Sequence, residues 1–591
     1  MDLYNFYTGQ TFDAYKWLGA HFTPEATTFR TFAPQAQGVD LILADTSIPM
    51  KQVYNGQFYE ATVEKLPCCT PYEYRIHSNN GHTDHCDPYG YFMELRPDHK
   101  SITWDLESYK FTDTKWMKKR SSMLQKPLNI YELHAGSFKK PGNQPDDWYN
   151  YEELGNVLIP YLQECSYNYV EFLPLCEHPC DESWGYQTTG YFSPTSRYGT
   201  PNQLMKLIDQ LHQNDIGVIL DFVPVHFAID SYGLSKYDGT PLYEYPNNDV
   251  GISEWGSCNF MHSRGEVKSF LQSSANYWLK EFHFDGLRMD AVSRIIFWQG
   301  DERRGINGSA LEFVKNMNNN LKQFNPGCML IAEDSSSYQG ITLKVEQGGL
   351  GFDYKWDLGW MNDTLSYFSI APDQRSQHYH KLTFSMLYFK NEHYLLPLSH
   401  DEVVHEKGTI VNKMYGNENE KYAQSRALYM YMLVHPGKKL NFMGNELAQL
   451  REWSEKRQLD FELLQDSIHR QFHDFIKKLN RIYLTQPSLT EDDYEETGFQ
   501  WVDCNQEQRL IYAFLRQNKK EKLLAVFNFS DSVQDNYIIN SIDTKKPELL
   551  LCSDHTCFGG NTDEKTELFH LDNANNLIFS LPSYSGILIK L

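Results

Sequence analysis

The chain of 591 residues lacks any apolar run that approaches the roughly 18 residues of a membrane-spanning helix. Its opening segment, 1–15, has neither the basic nor the apolar region of a secretory signal, so the cytoplasm is the expected location. The 11 cysteines follow no framework spacing, which is typical of reduced thiols rather than disulfides. These absences predict an intracellular protein whose length is sufficient for a large hydrophobic core.

Positive charge is also scarce. The sequence has 54 Lys and Arg against 77 Asp and Glu, which gives a net charge of −23 and a pI near 5.4. An acidic surface repels phosphate backbones and anionic lipid headgroups, so nucleic acid and membranes are excluded as expected partners. Aromatic residues, in contrast, make up 15% of the chain, and they provide stacking surfaces for flat ligands as well as filling cores.

Two short segments contain the residue types that bind metals. Residues 176–180 include two cysteines, a glutamate and a histidine, and His82, His85 and Cys86 lie close together. Neither segment has a second ligand pair at the spacing of a zinc site. We therefore interpret these residues as structural, and we expect neither a bound metal nor a cofactor.

Three zones follow one another along the chain. Residues 1–118 alternate short apolar and polar runs between turn residues, as in 58–63, which is typical of a small antiparallel β-sandwich. A charged segment, 112–126, connects this zone to the next one. Residues 489–591 return to short alternating runs, as in 523–527, and predict a second all-β domain.

Residues 119–488 differ, because buried-strand runs alternate there with amphipathic helices. The strand candidates are 129–134, 169–174, 217–222, 284–290, 329–334, 352–356, 394–399 and 440–444, the last three being weaker. Eight such units predict an α/β domain, a (β/α)8 barrel with insertions. A doubly wound open sheet is the alternative, but no glycine-rich phosphate motif follows the first strand.

Four of these strand candidates end in acids, Asp221, Asp290, Glu333 and Asp401, the last lying just past its strand. The catalytic groups of such barrels lie at the C-terminal ends of the strands. A single acid there also serves as a helix cap, which is the simpler interpretation of any one of them. Four carboxylates on one rim repel each other, however, and together they indicate either a metal site or glycoside chemistry.

Neighbouring residues favour glycoside chemistry. Arg288 and Asp290 are two residues apart on one strand, so their side chains lie on the same side and the guanidinium is expected to keep the carboxyl ionised. His226 and His400 provide hydrogen-bond donors near the rim, and Tyr186 brings a ring on which a sugar face can stack. Each of these three also has a simpler interpretation as a packing or loop residue.

The same region resembles the α-amylase family. Four segments occur in the order of that family's signatures: DFVPVH at 221–226, GLRMDAV at 286–292, AEDS at 332–335 and LSHDE at 398–402. Longer stretches, such as SPTSRYGTP at 193–201 and KWDLGWM at 355–361, narrow the resemblance to glycogen branching enzymes. The resemblance covers roughly residues 15–591.

This resemblance implies a function and a set of roles. Asp290 is implied to be the nucleophile, Glu333 the general acid/base and Asp401 the transition-state stabiliser of a retaining double displacement. The residues implied to complete the subsite of the reacting glucose are Tyr186, Asp221, His226, Arg288 and His400. The implied donor and acceptor are α-1,4-glucan or glycogen chains, and the implied product is an α-1,6 branch.

The chain also departs from the family pattern. An Asp-Phe-Asn-x-Trp stretch is missing after Leu43, which weakens the expectation that the N-terminal sandwich binds glucan. Ala135 replaces the usual leucine, and Glu406 replaces the usual glycine. Val225 stands where many α-amylases have an asparagine that binds Ca²⁺, so we expect no calcium there.

Two alternatives remain open. One is an α-glucan hydrolase of the same family, of the amylase or debranching type, and the other is a catalytically silent glucan-binding protein on an inherited barrel. The presence of all three acids favours an active enzyme. Transfer rather than hydrolysis depends on the groove that holds the acceptor. We expect the protein to be a monomer.

Overall fold

Eight parallel strands close a barrel at the centre of the computed structural model, which describes residues 1–44, 46–120, 126–540 and 546–591. In chain order the strands are β1 (Asn129–Leu133), β2 (Tyr169–Phe172), β3 (Gly217–Phe222), β4 (Gly286–Met289), β5 (Met329–Ala332), β6 (Tyr354–Trp356), β7 (Tyr394–Leu398) and β8 (Lys438–Phe442). Every predicted strand is present, and the predicted barrel is confirmed.

Helices cover the outside of the barrel. The long ones are α1 (Tyr151–Cys165), α2 (Pro201–Gln213), α3 (Gly265–Glu281), α4 (Gly308–Phe324), α5 (Leu358–Ser369), α6 (Glu418–Val434) and α7 (Ser467–Thr485). Shorter helices are Leu3–Thr8, Thr114–Lys119, Asn248–Gly251, Ser293–Ile296, Ser385–Tyr388 and Ile410–Lys413. Within the described ranges, no helix combines the length and the apolar composition that crossing a bilayer requires.

The connection after β5 differs from the other seven. It contains one 3-10 turn, Val345–Gln347, in place of a long helix, so one of the eight predicted units lacks its helix. Four glycines lie between residues 340 and 351, and glycine is among the poorest helix formers.

Side chains fill the barrel in layers that change from apolar to polar. Ile130, Ile219 and Ile331 belong to an apolar cluster, which Trp116 joins from the N-terminal end of the barrel. Because side chains alternate along a strand, residues two positions later point into the barrel as well, nearer its C-terminal end. Ile130 is followed by Glu132 in this way, and Ile219 by Asp221. The polar layer therefore lies at the end where catalytic groups are expected.

An antiparallel β-sandwich precedes the barrel. One sheet has the order Gly19–Phe22, Ala26–Phe32, Phe58–Glu64, Lys51–Val53, and the other Thr46–Pro49, Gly38–Leu43, Pro71–Ser78, Gly81–His85, with Ser101–Ile102 pairing to Pro71–Ser78. Hydrogen bonds join the sandwich to the insertion between β3 and α3: the Thr31 and Tyr237 hydroxyls are 2.6 Å apart, and His85 Nδ1 is 2.9 Å from the Gly233 carbonyl oxygen.

A second all-β domain follows the barrel. Its five-stranded sheet has the order Phe499–Gln506, Ile511–Gln517, Lys522–Asn528, Ser585–Lys590, Glu548–Cys552, and its three-stranded sheet the order Gln534–Ile539, Leu577–Leu581, Phe569–Leu571. Both flanking β-domains are therefore confirmed. The domain limits at 118/119 and 488/489 stay predictions, and part of the predicted connector, 121–125, lies outside the described residues.

The N-terminal helix Leu3–Thr8 packs against α3, a contact that the sequence did not predict. Ser269 Oγ donates a 2.9 Å hydrogen bond to the Phe6 carbonyl. At Gly265, the first residue of α3, a Cβ atom would lie only 1.8 Å from the Tyr7 carbonyl oxygen. The close approach of the two segments therefore requires glycine at this position.

Candidate active site

Arg288 lies at the centre of a cluster of carboxylates at the C-terminal end of the barrel. Its side chain is 1% exposed, and Nη1 donates to Asp221 Oδ2 at 2.5 Å and to Asp290 Oδ1 at 3.1 Å. Nη2 donates to Glu333 Oε2 at 2.9 Å. The parallel register of β3 and β4 sets Asp221 beside Arg288. One guanidinium thus holds three of the predicted site acids together.

The charges in this cluster do not balance, because three carboxylates share one cation. Burial raises the pKa of Asp290 well above its ordinary value, and the negative charges of Glu333, Asp221 and Asp401 add to this, although Arg288 opposes it. Burial also raises the pKa of Asp221 to about 6 against the pull of Arg288. Arg288 thus has the expected direction of effect on Asp290, but burial and the neighbouring acids outweigh it.

The Glu333 carboxylate is anchored through one of its two oxygens. Oε2 accepts the bond from Arg288 and a second one, at 2.9 Å, from the Ala291 backbone N–H. Within the described residues both hydrogen bonds to this carboxylate fall on Oε2, and its side chain is 21% exposed. Oε1 is therefore the oxygen that a substrate can reach.

Asp401 lies next to a charged histidine, His400. His400 Nδ1 lies 2.6 Å from Glu132 Oε1, and His400 Nε2 lies 3.5 Å from Asp401 Oδ1. Burial would lower the pKa of His400, but Asp401 and Glu132 outweigh it and raise that pKa to about 9. The imidazolium in turn holds the pKa of Asp401 below its ordinary value. Asp401 is therefore an ionised carboxylate at the rim.

Tyr186 and His226 complete the set that the sequence predicted. The Tyr186 hydroxyl donates to Asp221 Oδ2, and its ring stacks on His400 with the centroids 5.7 Å apart. A ring nitrogen of His226, Nε2, lies 3.1 Å from the Tyr186 carbonyl oxygen, and burial lowers the pKa of His226 to about 4. All eight predicted site residues thus lie in one region, and their individual roles remain predictions.

A cleft of about 320 Å³ opens above this cluster. Its lining includes Asp290, Glu333, His400, Asp401, Tyr186 and His226, together with Trp184, Trp255 and His405. Asp221 and Arg288 lie below its surface, each 1% exposed. These two residues are therefore placed to hold the acids rather than to touch a sugar.

Within the described ranges, no group of three or more His, Cys, Asp or Glu side chains is arranged so that it could hold a metal ion. All 11 cysteines are free thiols. Val225 is buried, and the expectation that this position binds no calcium stays a prediction.

Three family models match the chain. The N-terminal domain of the α-1,4-glucan branching enzyme GlgB matches residues 1–89, the α-amylase catalytic domain matches 157–237 and 256–539, and the α-amylase C-terminal all-β domain matches 501–591.

Curated relatives match over nearly the whole length. The 1,4-α-glucan branching enzyme GlgB of Fusobacterium nucleatum is 41% identical, over 95% of this chain and 93% of its own. GlgB 2 of Clostridium perfringens is 41% identical over 94% and 88%, and GlgB of Bacillus subtilis is 40% identical over 95% and 91%. The chain belongs to the 1,4-α-glucan branching enzyme family.

The chain shares its fold with solved structures of more distant proteins. A putative α-amylase from Salmonella typhimurium superposes with a TM-score of 0.74 at 17% identity, covering 97% of this chain and 100% of its own. A pullulanase from Anoxybacillus, complexed with maltotetraose, has a TM-score of 0.75 at 17% identity and covers 100% and 89%.

Sequence reasoning missed two residues of this branching-enzyme site. Glu132 holds His400, and its only signal in the sequence was an acid in the middle of the predicted first strand. Trp255 lines the cleft 5.1 Å from the His226 ring, in an insertion that the strand pattern did not address.

Proposed function

We propose that the chain is a glucan branching transferase. It cleaves an α-1,4 bond by a retaining double displacement and transfers the chain to a 6-hydroxyl, which forms an α-1,6 branch in glycogen. The observation that carries this proposal is the bridge of Arg288 between Asp290 and Glu333 beneath an open cleft. A single guanidinium keeps the two carboxyls close, as the roughly 5–5.5 Å of a retaining pair requires.

In the first half of the reaction Asp290 attacks the anomeric carbon. Glu333 Oε1, the oxygen free of protein hydrogen bonds among the described residues, protonates the departing glycosidic oxygen. The reactive form therefore has a protonated Glu333 and an ionised Asp290. The C1–O bond to the leaving chain breaks as the bond to Asp290 forms.

In the second half Glu333 accepts the proton of the acceptor 6-hydroxyl. The acceptor oxygen then bonds to the anomeric carbon, and Asp290 leaves as a carboxylate that Arg288 stabilises. Asp401 and charged His400 face the same cleft, where they bind sugar hydroxyls as the ring flattens. Asp221 and Tyr186 fix Arg288 and the stacking ring in place.

Transfer requires that a sugar compete with water for the covalent intermediate. An oriented partner reaches an effective concentration of about 10⁵ M or more, far above that of the solvent. The presence of the reactive acids and an open cleft favours this activity over a silent glucan-binding protein.

The test is the product formed from amylose. We expect the iodine colour to fall with almost no new reducing ends, and α-1,6 linkages to appear by NMR and as short chains after enzymatic debranching. Reducing ends that rise in step with colour loss, without an α-1,6 signal, would identify a hydrolase instead. Unchanged amylose would identify a binding protein.

We further propose that the enzyme works as a cytoplasmic monomer. Its free thiols suit a reducing compartment, and the acidic surface favours separate molecules. Light scattering after size-exclusion chromatography should give a mass near 69.1 kDa, and a mass of twice this value would contradict the monomer.

A further inference from the structure

A second cavity, of about 480 Å³, adjoins the catalytic cleft on the side of Glu333. Trp255, Ala291 and Glu333 line both spaces, so the two share one wall. The remaining lining of the second cavity is mostly polar and includes Arg294, Gln299, Asp301, Arg303 and Ser335. It is a concave, hydrogen-bonding surface next to the proposed acid/base.

Trp255 presents a flat face at this shared wall. The residue is 49% exposed, although the Arg294 guanidinium lies 4.2 Å from the ring centroid. Arg294 is itself fixed by an ion pair with Glu254. The indole thus packs against Arg294 and, 5.1 Å away, against the His226 ring, while about half of the residue's surface stays open to a sugar ring.

The segment that carries Trp255 is tied to the loop after β4. Gln299 donates to the Asp249 carbonyl at 2.9 Å and to the Ile252 carbonyl at 2.8 Å, and accepts from Asn259 Nδ2 at 3.1 Å. The match to the α-amylase catalytic domain leaves out residues 238–255. The tryptophan therefore stands on a well-anchored segment that is not part of the general α-amylase pattern.

We propose that Trp255 and the polar cavity beside it bind the acceptor glucan and thereby determine transfer rather than hydrolysis. The inference rests on the proposed function. Glu333 must take its proton from the attacking 6-hydroxyl, so the acceptor has to lie on the Glu333 side of the anomeric carbon. Glu333 lines the second cavity as well as the catalytic cleft. In the second cavity, Trp255 offers an aromatic surface to an acceptor glucose.

The test compares Trp255→Leu, which keeps apolar bulk, with Trp255→Phe, which keeps a flat ring. The readout is the ratio of new α-1,6 linkages to new reducing ends on amylose. We expect the Leu variant to lower this ratio about tenfold, which corresponds to about 1.4 kcal/mol of lost stacking, and the Phe variant to stay within about threefold of the parent.

Two controls separate an acceptor role from a structural one. Phe324→Leu removes an aromatic ring that is 51% exposed at the end of α4, and it should leave the ratio unchanged. Fluoride release from α-maltosyl fluoride reports the first half of the reaction without a leaving chain. In the Leu variant that rate should stay within about twofold of the parent.

Each remaining outcome contradicts a specific statement. Equal ratios in the parent and the Leu variant would overturn the role of Trp255 while leaving the branching function intact. An equal loss of fluoride release in the Leu variant would assign Trp255 to the donor site or to folding. A parent enzyme that forms no α-1,6 linkage would overturn the proposed function and the acceptor role with it.

Discussion

Two buried arginines in this molecule show how the same side chains build a reactive site in one place and a structural one in another. Arg288 bonds three carboxylates, and its Nε atom has no partner among the described residues. Arg516, at the junction of the barrel and the C-terminal domain, bonds one carboxylate, that of Asp493, and the carbonyl oxygens of Gly498, Val434 and Leu489.

The two clusters have opposite charge ratios. Asp493 also lies 3.2 Å from Lys438 Nζ, so two cations face one anion there. Burial would raise the pKa of Asp493, but Lys438 and Arg516 hold it below the ordinary value. Around Arg288, burial raises the pKa of Asp290 and the excess of anions adds to the rise. A buried carboxylate therefore does not by itself indicate an active site, whereas an excess of carboxylates beside a cleft does.

The strongest way to break this comparison is to remove the surplus acids. Asp290→Ala and Glu333→Gln should each lower turnover on amylose by about three orders of magnitude or more, because each removes a group that the covalent route needs. Neither variant should lower the melting temperature, since the remaining acids still bond Arg288. Residual activity of more than a few per cent would contradict the assigned roles.

Asp493→Asn should give the opposite result. It leaves Arg516 and Lys438 buried with no anion, which costs about 3–5 kcal/mol of stability. Denaturation with urea should therefore start at lower concentration, while turnover per folded molecule below that concentration should match the parent. A selective loss of turnover in a fully folded variant would show that this cluster is not purely structural.

The charge of His400 should appear in the pH dependence of stability. Its pKa is about 9 in the folded chain against an ordinary 6.5, so its contribution is complete below about pH 6.5 and is lost as the pH rises through 9. The full contribution is about 3 kcal/mol. Glu132→Gln removes one of the two anions that raise this pKa, so the melting temperature should fall less steeply between pH 6.5 and 9.5.

A second histidine, His212, also titrates near pH 9, so the measurement compares the pH slope of the Glu132→Gln variant with that of the parent. Burial would lower the pKa of His212, but Asp285 and Asp113 raise it to about 9, and this group titrates in parent and variant alike. Identical pH slopes in the two proteins would therefore contradict the coupling of Glu132 to His400.

The smallest effect concerns strain beside the cleft. Glu406 has φ +64°, a left-handed conformation that favours glycine, and its backbone N–H donates to Glu452, the one hydrogen bond that Glu406 makes with the described residues. Glu406→Gly should raise stability by about 0.5 kcal/mol, the relief of strain less the added entropy of the unfolded chain. Glu418→Gly in α6 is the matched control and should lower the melting temperature.

Much of this architecture could be predicted from local signals. The strands of the barrel are short buried runs, and Asp221, Asp290, Glu333 and Asp401 lie at or just beyond the ends of four of them, so both the barrel and its acidic end were visible in the sequence. The adjacency of Arg288 and Asp290 was visible as well, since it depends on spacing within one strand.

What could not be predicted depends on contacts between distant segments. Arg288 is shared with Glu333, 45 residues away, and the charge of Glu333 adds to the burial that raises the pKa of Asp290 against the pull of Arg288. The helix Leu3–Thr8 is defined by α3, more than 250 residues further on, as in the Ser269–Phe6 bond. The segment after β5 is rich in glycine and forms no long helix. Because it lies between two predicted strands, the alternating pattern predicted a helix there.

The wall that the two cavities share has a consequence for the timing of catalysis. With the acceptor bound as proposed, the departing chain end and the incoming acceptor use the same space one after the other, so the covalent intermediate has to outlive the exchange. A departing chain end that dissociates slowly therefore blocks the binding of the acceptor. The rate of branching should accordingly pass through a maximum as the concentration of short glucans rises, while the lifetime of the intermediate sets how much of it escapes to water.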